Sequence, residues 1–352
     1  MTQITEPPKN PVEILLWAQY PSGRYGAVVQ SDGQAIYFAI QKLVDNEASD
    51  SASRWVWVRN LRPAPLMFAD PPADSVRLPL VAESYCVRPS GGPALDLDQT
   101  RVVWFEQGMG AMLVEGERVL AIIPPQSQSE LPGYSIECRL PCPFAIPIED
   151  DDLYSPLART LPSYWADWAN GNPFATWYQS ALSAISPILG EPVQEFSVVS
   201  GAWPTVRVVQ FGNAQGERCL LTIGMALRCQ PMVERELLNF QEHQRLELAV
   251  CVPPAADADV VQAMAGWLAG LARYPWDQET CFLPLQKLKT VAPDSAATSV
   301  PRQASVEWTL VAEPQAAVQL GRRAISLPDH RQQAVNLLWL FDTDHSRRAA
   351  ET

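Results

Sequence analysis

The chain predicts an α+β protein of two β-rich domains, the C-terminal one a mixed sheet with packed helices. Three observations lead there. Its 352 residues exceed what one ordinary core holds. Apolar residues make up 47% and charged residues 18%, enough for a sizeable interior. Prolines number 32 of 352, about 9% against a usual level of roughly 5%, which favours many short extended segments over long helices.

The N-terminal domain is expected over residues 1–126. Its candidate strands are VEILLWA, YGAVVQ, AIYFAI, RWVWVRNL, RVVWFEQ, AMLVEG and RVLAIIP. Asp32-Gly33 and Glu115-Gly116-Glu117 are hairpin turns, since glycine supplies the backbone angles that such turns need. Between these runs, RPAPLMFADPPADSVRLPL is too rich in proline for a central strand and reads as extended surface chain.

Residues 127–162 read as a connecting segment, with turn residues and no sustained period. The carboxylates of Glu149 to Asp152 lack the spacing and glycine of a calcium loop, and they suit a solvated linker or a helix start.

Residues 163–343 read as the second domain. Phe174, Trp177, Tyr178, Ala181, Leu182, Ile185 and Ile188 share one helical face, with Pro187 expected to end the helix before the last contact. Strands follow at Phe196–Val199, Val206–Phe211, Cys219–Ile223 and Leu246–Val252. A second helix carries Val260, Val261, Met264, Trp267, Leu268 and Leu271 on one stripe, capped by an aspartate at its start and followed by Pro275. VEWTLV and VNLLWLF close the domain as strands, APDSAATSVPRQA is an exposed loop, and residues 344–352 form a flexible tail.

Several function classes find little support. The net charge of −13 and the absence of a Lys/Arg block argue against nucleic acid as a partner. The opening MTQITEPPKNPVEILLWAQY has neither the basic start nor the apolar run of a secretory signal, and no run reaches the ~18 apolar residues of a membrane span. A cytoplasmic location and no membrane partner are therefore expected. Seven scattered cysteines, an odd number, fit buried free thiols better than disulfides.

Chemistry-bearing motifs are equally sparse. Of His243, His330 and His345, only His243 lies near a core strand, and nothing local marks a nucleophile or a partner acid. Cys138 and Cys142 have a spacing that zinc sites use, but no second pair accompanies them. Gly108-Met109-Gly110 lacks the third glycine of a dinucleotide loop. No cofactor or metal is expected, and no catalytic residue is assigned. Glu195 and Glu247 are the acids set among apolar strand residues. Glu247 is expected to pair with Arg207 or Arg218, or to face water on alternate residues.

One further signal is the order of motifs from Trp203 onward: Trp203-Pro204 ahead of a strand, Leu221-Thr222-Ile223-Gly224-Met225, Arg245-Leu246-Glu247-Leu248 leading to Val252-Pro253, and Tyr274-Pro275-Trp276 closing a helix. This order resembles the suppressor-of-fused (SUFU) domain family, in particular its bacterial members, over roughly Tyr178 to Phe341. WVRNLRPAP, VVWFEQGMGAML, AIIPP and LPGYSIEC are similar to the companion region of longer bacterial members. The resemblance implies a non-catalytic protein-binding module. In the animal member two lobes close on an extended peptide that adds a strand to exposed sheets, while bacterial relatives resemble immunity proteins of polymorphic toxin systems. It further implies a protein or peptide partner such as a toxin, and an immunity or sequestering adaptor role, with Trp203, Arg207, Gly224, Met225 and Glu247 building the binding surface. The rival readings are a hydrolase using Glu247 or a cysteine with His243, and a structural or assembly subunit of a secretion system. Oligomeric state is not legible.

Overall fold

The computed structural model describes residues 12–21, 23–44, 47–48, 54–68, 78–125, 132–148, 151–171, 173–197, 205–212, 216–237, 239, 242–252, 256–291, 305–311, 326–328 and 334–342. Its architecture is mixed α+β, dominated by sheets. The chain divides into two compact units, Met1–Ala166 and Asp167–Thr352.

The first unit contains two five-stranded sheets. One joins β1 (Glu13–Gln19), β2 (Tyr25–Ser31), β3 (Ala35–Val44) and β4 (Glu47–Ala48), with β5 (Arg54–Asn60) on the other flank of β3. Asp32 fixes the β2–β3 turn. Its Oδ1 accepts from the backbone N–H groups of Gln34 (2.9 Å) and Ala35 (3.1 Å), while Gly33 takes φ +77°. Val28, Ile36, Phe38, Ile40 and Val56 are buried along these strands. The other sheet runs β10 (Ile146–Pro147), β9 (Tyr134–Ser135), β8 (Arg118–Ile123), β7 (Ala111–Glu115) and β6 (Thr100–Trp104). Val103, Met112, Val114, Val119 and Ile122 meet Ala158 and Leu161 in one cluster.

Two departures from expectation lie here. The segment read as a connection supplies β9 and β10 to the sheet, and then opens helix α1 (Asp151–Gly171), which the sequence reading does not contain. Pro156 and Pro162 lie inside α1. Each removes a ladder donor, so the local sequence argues against a helix that the packing of Ala158 and Leu161 nevertheless holds. Of the carboxylate run, Asp151 and Asp152 stand at the α1 N-terminus, where negative charge is favoured.

The second unit is a mixed eight-stranded sheet in the order β11 (Glu191–Ser197), β12 (Arg207–Gly212), β13 (Arg218–Ile223), β14 (Leu246–Val252), β18 (Ala334–Asp342), β16 (Ser305–Val311), β15 (Lys287–Val291), with β17 (Ser326–Pro328) also on β18. All these pairs are antiparallel except β14 with β18, which is parallel and lies at the centre. That pair is buried on both faces, as its continuous apolar runs require. The single-turn α3 (Val233–Glu236) precedes β14, and along the sheet alternate residues go to opposite layers. Leu220, Leu248, Val250, Leu338 and Leu340 pack with α4 (Ala258–Asp277), while Leu221, Ala249, Leu337 and Trp339 pack with α2 (Phe174–Leu189).

Both helices follow their predicted stripes and overrun their predicted ends. Phe174, Trp177, Tyr178, Ala181 and Ile185 are buried on α2, but the helix continues through Pro187 to Leu189 and stops at Gly190, φ +93°. Ile188 is 40% exposed, so the last contact of the stripe is not made. Asp257 caps α4 by accepting from the backbone N–H of Val260 at 2.9 Å, and Pro275 lies inside the helix rather than after it. Strands β15 and β17 were not anticipated, and β11 begins earlier than expected. The loop APDSAATSVPRQA, the tail 344–352, His330 and His345 lie outside the described residues.

Candidate functional site

The residues singled out by the motif order converge on the turn that follows β13. Gly224 takes φ +119° and opens a 3-10 turn at Met225–Leu227. A Cβ at this position would stand 2.1 Å from the Thr205 carbonyl oxygen and 2.8 Å from the Phe174 ring, so only glycine fits.

Two side chains, Glu247 of β14 and Arg245 just ahead of that strand, grip this turn. Glu247 is fully buried; its Oε1 accepts from the backbone N–H groups of Gly224 (2.8 Å) and Ala226 (3.1 Å), and its Oε2 accepts from the Thr222 hydroxyl (2.8 Å). Arg245, 2% exposed, donates from Nη1 to the Ala226 carbonyl at 2.8 Å. One residue therefore satisfies the donors of the turn and the other an acceptor. Burial pushes the Glu247 carboxyl up to about 7, although the four groups that donate to it, Ala226, Gly224, Thr222 and Met225, act in the opposite direction. The expected pairing of Glu247 with Arg207 or Arg218 is thus corrected. Arg218 donates to the Ala256 carbonyl at 2.9 Å and Arg207 binds Glu195. The carboxylate is consumed by backbone amides that a period-2 pattern does not reveal.

Arg207, at the start of β12, forms the outer part of the site. Its Nη1 donates to Glu195 Oε2 at 2.7 Å, and its guanidinium lies over the rings of Phe174 (5.4 Å) and Tyr178 (5.1 Å). These two rings stack with centroids 5.5 Å apart. The Tyr178 hydroxyl donates to Glu195 Oε1, and burial, reinforced by Glu195, pushes its pKa up to about 12. The Arg207 and Glu195 side chains remain 41% and 43% exposed. The Phe174 ring that Arg207 covers is the one that abuts Gly224, so outer and inner parts are contiguous.

Four of the five anticipated residues, Arg207, Gly224, Met225 and Glu247, are therefore brought together; Trp203 lies outside the described residues. Their roles differ. Met225 is 1% exposed and belongs to the core against α4, Gly224 and Glu247 shape the turn, and only Arg207 presents a charged head to solvent. No family model matches the chain, and neither a curated protein nor a solved structure matches it.

Sequence reasoning named Arg245 in the motif order without giving it a role, and missed Arg228 and Gln230. Arg228 stacks over Trp276 at 5.2 Å, whose indole N–H donates to the Cys229 carbonyl at 3.0 Å. The Gln230 side chain ties its own segment to the Phe282 backbone through both of its polar atoms. Arg228 and Gln230 look like ordinary polar residues in the sequence, and their partners Trp276 and Phe282 lie 48 and 52 residues away, so no local spacing announces them; Arg245 meets Ala226 across 19 residues.

What this arrangement does chemically is hold a backbone shape. Glu247 titrates in the range of a general acid or base, but its oxygens point at amides and a hydroxyl of its own fold. His243 Nε2 lies 3.5 Å from Asn239 Nδ2 at an exposed position. Among the described residues, no group of three His, Cys, Asp or Glu side chains is placed to hold a metal ion.

Proposed function

We propose that this chain is a non-catalytic protein-binding module, a bacterial SUFU-like protein that holds a protein or peptide segment as an immunity or sequestering adaptor in the cytoplasm. The observation that carries the reading is β11. It is the outer strand of the eight-stranded sheet, it is exposed from Glu191 to Glu195 with Val193 at 63%, and it bears the Glu195 that clamps Arg207. An outer strand beside a fixed, half-exposed guanidinium suits an extended segment with an acidic side chain. The backbone ladder supplies affinity, and Arg207 supplies selection. Pro192 and the bulge between Pro192 and Gln194 break the N-terminal half of the edge, which discourages unregulated self-pairing. No helix among the described residues is long and apolar enough to cross a membrane.

The test is affinity capture by the tagged full chain from its native cell lysate at moderate salt, with mass spectrometry of what is retained. A single stoichiometric protein, lost from both the Val193→Pro and Arg207→Glu variants while their circular dichroism stays native, is the expected result. Retention that is indifferent to both changes sinks the β11 reading. A clean, monomeric bait that retains nothing sinks the binding reading itself.

A further inference from the structure

The first unit holds three thiols on one short stretch of paired chain. Cys86 and Cys138 face each other in an isolated antiparallel bridge. It is flanked by bonds from Val87 N to the Glu137 carbonyl (2.9 Å) and from Arg139 N to the Tyr85 carbonyl (2.8 Å). The cysteines therefore occupy a non-hydrogen-bonded position, where opposed side chains approach most closely. Four residues on, the chain folds back: Cys142 N bonds the Ala145 carbonyl at 2.9 Å.

This fold-back sets Cys142 beside Cys138, because the Ala145 carbonyl oxygen that the Cys142 N–H bonds also lies 3.4 Å from the Cys138 Sγ. The Cys138 Sγ lies 3.0 Å from the Leu140 carbonyl oxygen and 3.4 Å from that of Ala145, and its thiol also bonds the Cys142 sulfur. The backbone N–H groups of Phe144 and Ala145 donate to the same Cys142 sulfur. A thiol and two amides aimed at one sulfur stabilise a thiolate there. The Cys138 bond is the largest influence lowering the Cys142 pKa, and it outweighs burial. The same bond, together with burial, raises that of Cys138. The two sulfurs are thereby differentiated into an attacking thiolate and a neighbouring thiol. Cys86 is set apart. Its sulfur lies 3.3 Å from the Val81 and 3.4 Å from the Ala82 carbonyl oxygens, and burial pushes its pKa up to about 11.

We propose that Cys142 and Cys138 form an oxidation site at which hydrogen peroxide closes the Cys138–Cys142 disulfide. The Cys142 thiolate attacks one peroxide oxygen, and the O–O bond breaks. The products are a sulfenic acid on Cys142 and a hydroxide that takes a proton to become water. The Cys138 thiol gives up its proton as its sulfur attacks the sulfenic sulfur. The S–O bond breaks, the S–S bond forms, and the departing hydroxide takes a proton and leaves as water. The two thiols lose two electrons and two protons in all, and one peroxide is reduced to two waters. Access favours a small oxidant. Cys142 is 9% exposed between the exposed Pro141 and Pro143, a setting that admits peroxide more readily than bulky reagents.

The test uses the native full-length protein. It is exposed to stoichiometric hydrogen peroxide, quenched by alkylation and digested with trypsin, which cuts after Arg139 and so separates the two cysteines onto different peptides. The expected product is a disulfide-linked pair of peptides carrying Cys138 and Cys142, with Cys142 consumed ~tenfold faster than the buried Cys219 and Cys229. The Cys138→Ser variant is expected to accumulate a sulfenic acid at Cys142, trapped by a 1,3-dione probe. A Cys86–Cys138 linkage, or oxidation of Cys142 no faster than of the other cysteines, overturns the proposal. The wild-type measurement decides the matter even where the variant misfolds.

Discussion

Glu247 sets the clearest expectation at the scale of single residues. Its folded-state pKa is raised to about 7 from an ordinary 4.5, so its protonated form is the one the fold favours. The stability it contributes is fully present below the unfolded pKa and is lost as pH rises through 7, by about 3 kcal/mol in total. Chemical denaturation of the wild type between pH 5 and pH 8 should show this decline, and Glu247→Gln should flatten it, since an amide oxygen still accepts from Gly224 and Ala226. Glu247→Leu leaves those two buried amides without their acceptor and the Thr222 hydroxyl with only the more distant Leu248 carbonyl at 3.4 Å. It should cost about 3–5 kcal/mol at pH 5 and markedly less at pH 8, where the wild type has already lost the contribution of the protonated carboxyl. Gly224→Ala should cost about 2–4 kcal/mol, because both the +119° φ and the 2.1 Å approach to Thr205 O oppose a Cβ. A loss below ~1 kcal/mol in urea titration would show that the turn relaxes instead.

Helices and strands place their own limits on what could be read in advance. The N-cap at Asp257 was visible because an aspartate directly precedes an apolar stripe, and Asp257→Ala should lower stability by about 1 kcal/mol, measurable as a shift in denaturation midpoint. The β2–β3 hairpin was legible for the same kind of reason: Asp32-Gly33 sits between two apolar strand-like runs, and the Asp32 side chain closes the turn locally. Helix α1 was not, because Pro156 and Pro162 are local vetoes that only packing against Met112, Val114 and Ile122 overrides. Strand β15, KLKTV, reads as polar loop until β16 is known to pair with it. In the candidate site Gly224 and Glu247 were singled out through motif order and Arg207 as an expected partner of Glu247, but their actual contacts were not legible. Thr222 and Glu247 are separated by 25 residues, and no periodicity relates them.

The molecule as a whole consists of two sheet-based units, each with its own apolar clusters, and its strongly acidic balance bears on any partner. With a net charge of −13, association with a basic partner should speed up at low ionic strength, and association with an acidic segment should rely on local selection by Arg207 against the overall field. Stopped-flow association with the captured partner at two salt concentrations separates these cases: a rate that falls with salt indicates a basic partner, whereas a flat or rising rate indicates an acidic segment. The parallel β14–β18 ladder at the centre of the second unit has a further consequence, for the order of assembly. Leu246 pairs with Asn336, so the middle of this sheet closes by joining positions that are distant along the chain, while the β12–β13 and β13–β14 ladders link nearer segments. Chain-closure entropy makes such a contact slow to form. Refolding of the second unit should therefore pass its rate-limiting barrier as β18 docks, and until it does β14 is an open apolar edge on which newly made chains can aggregate.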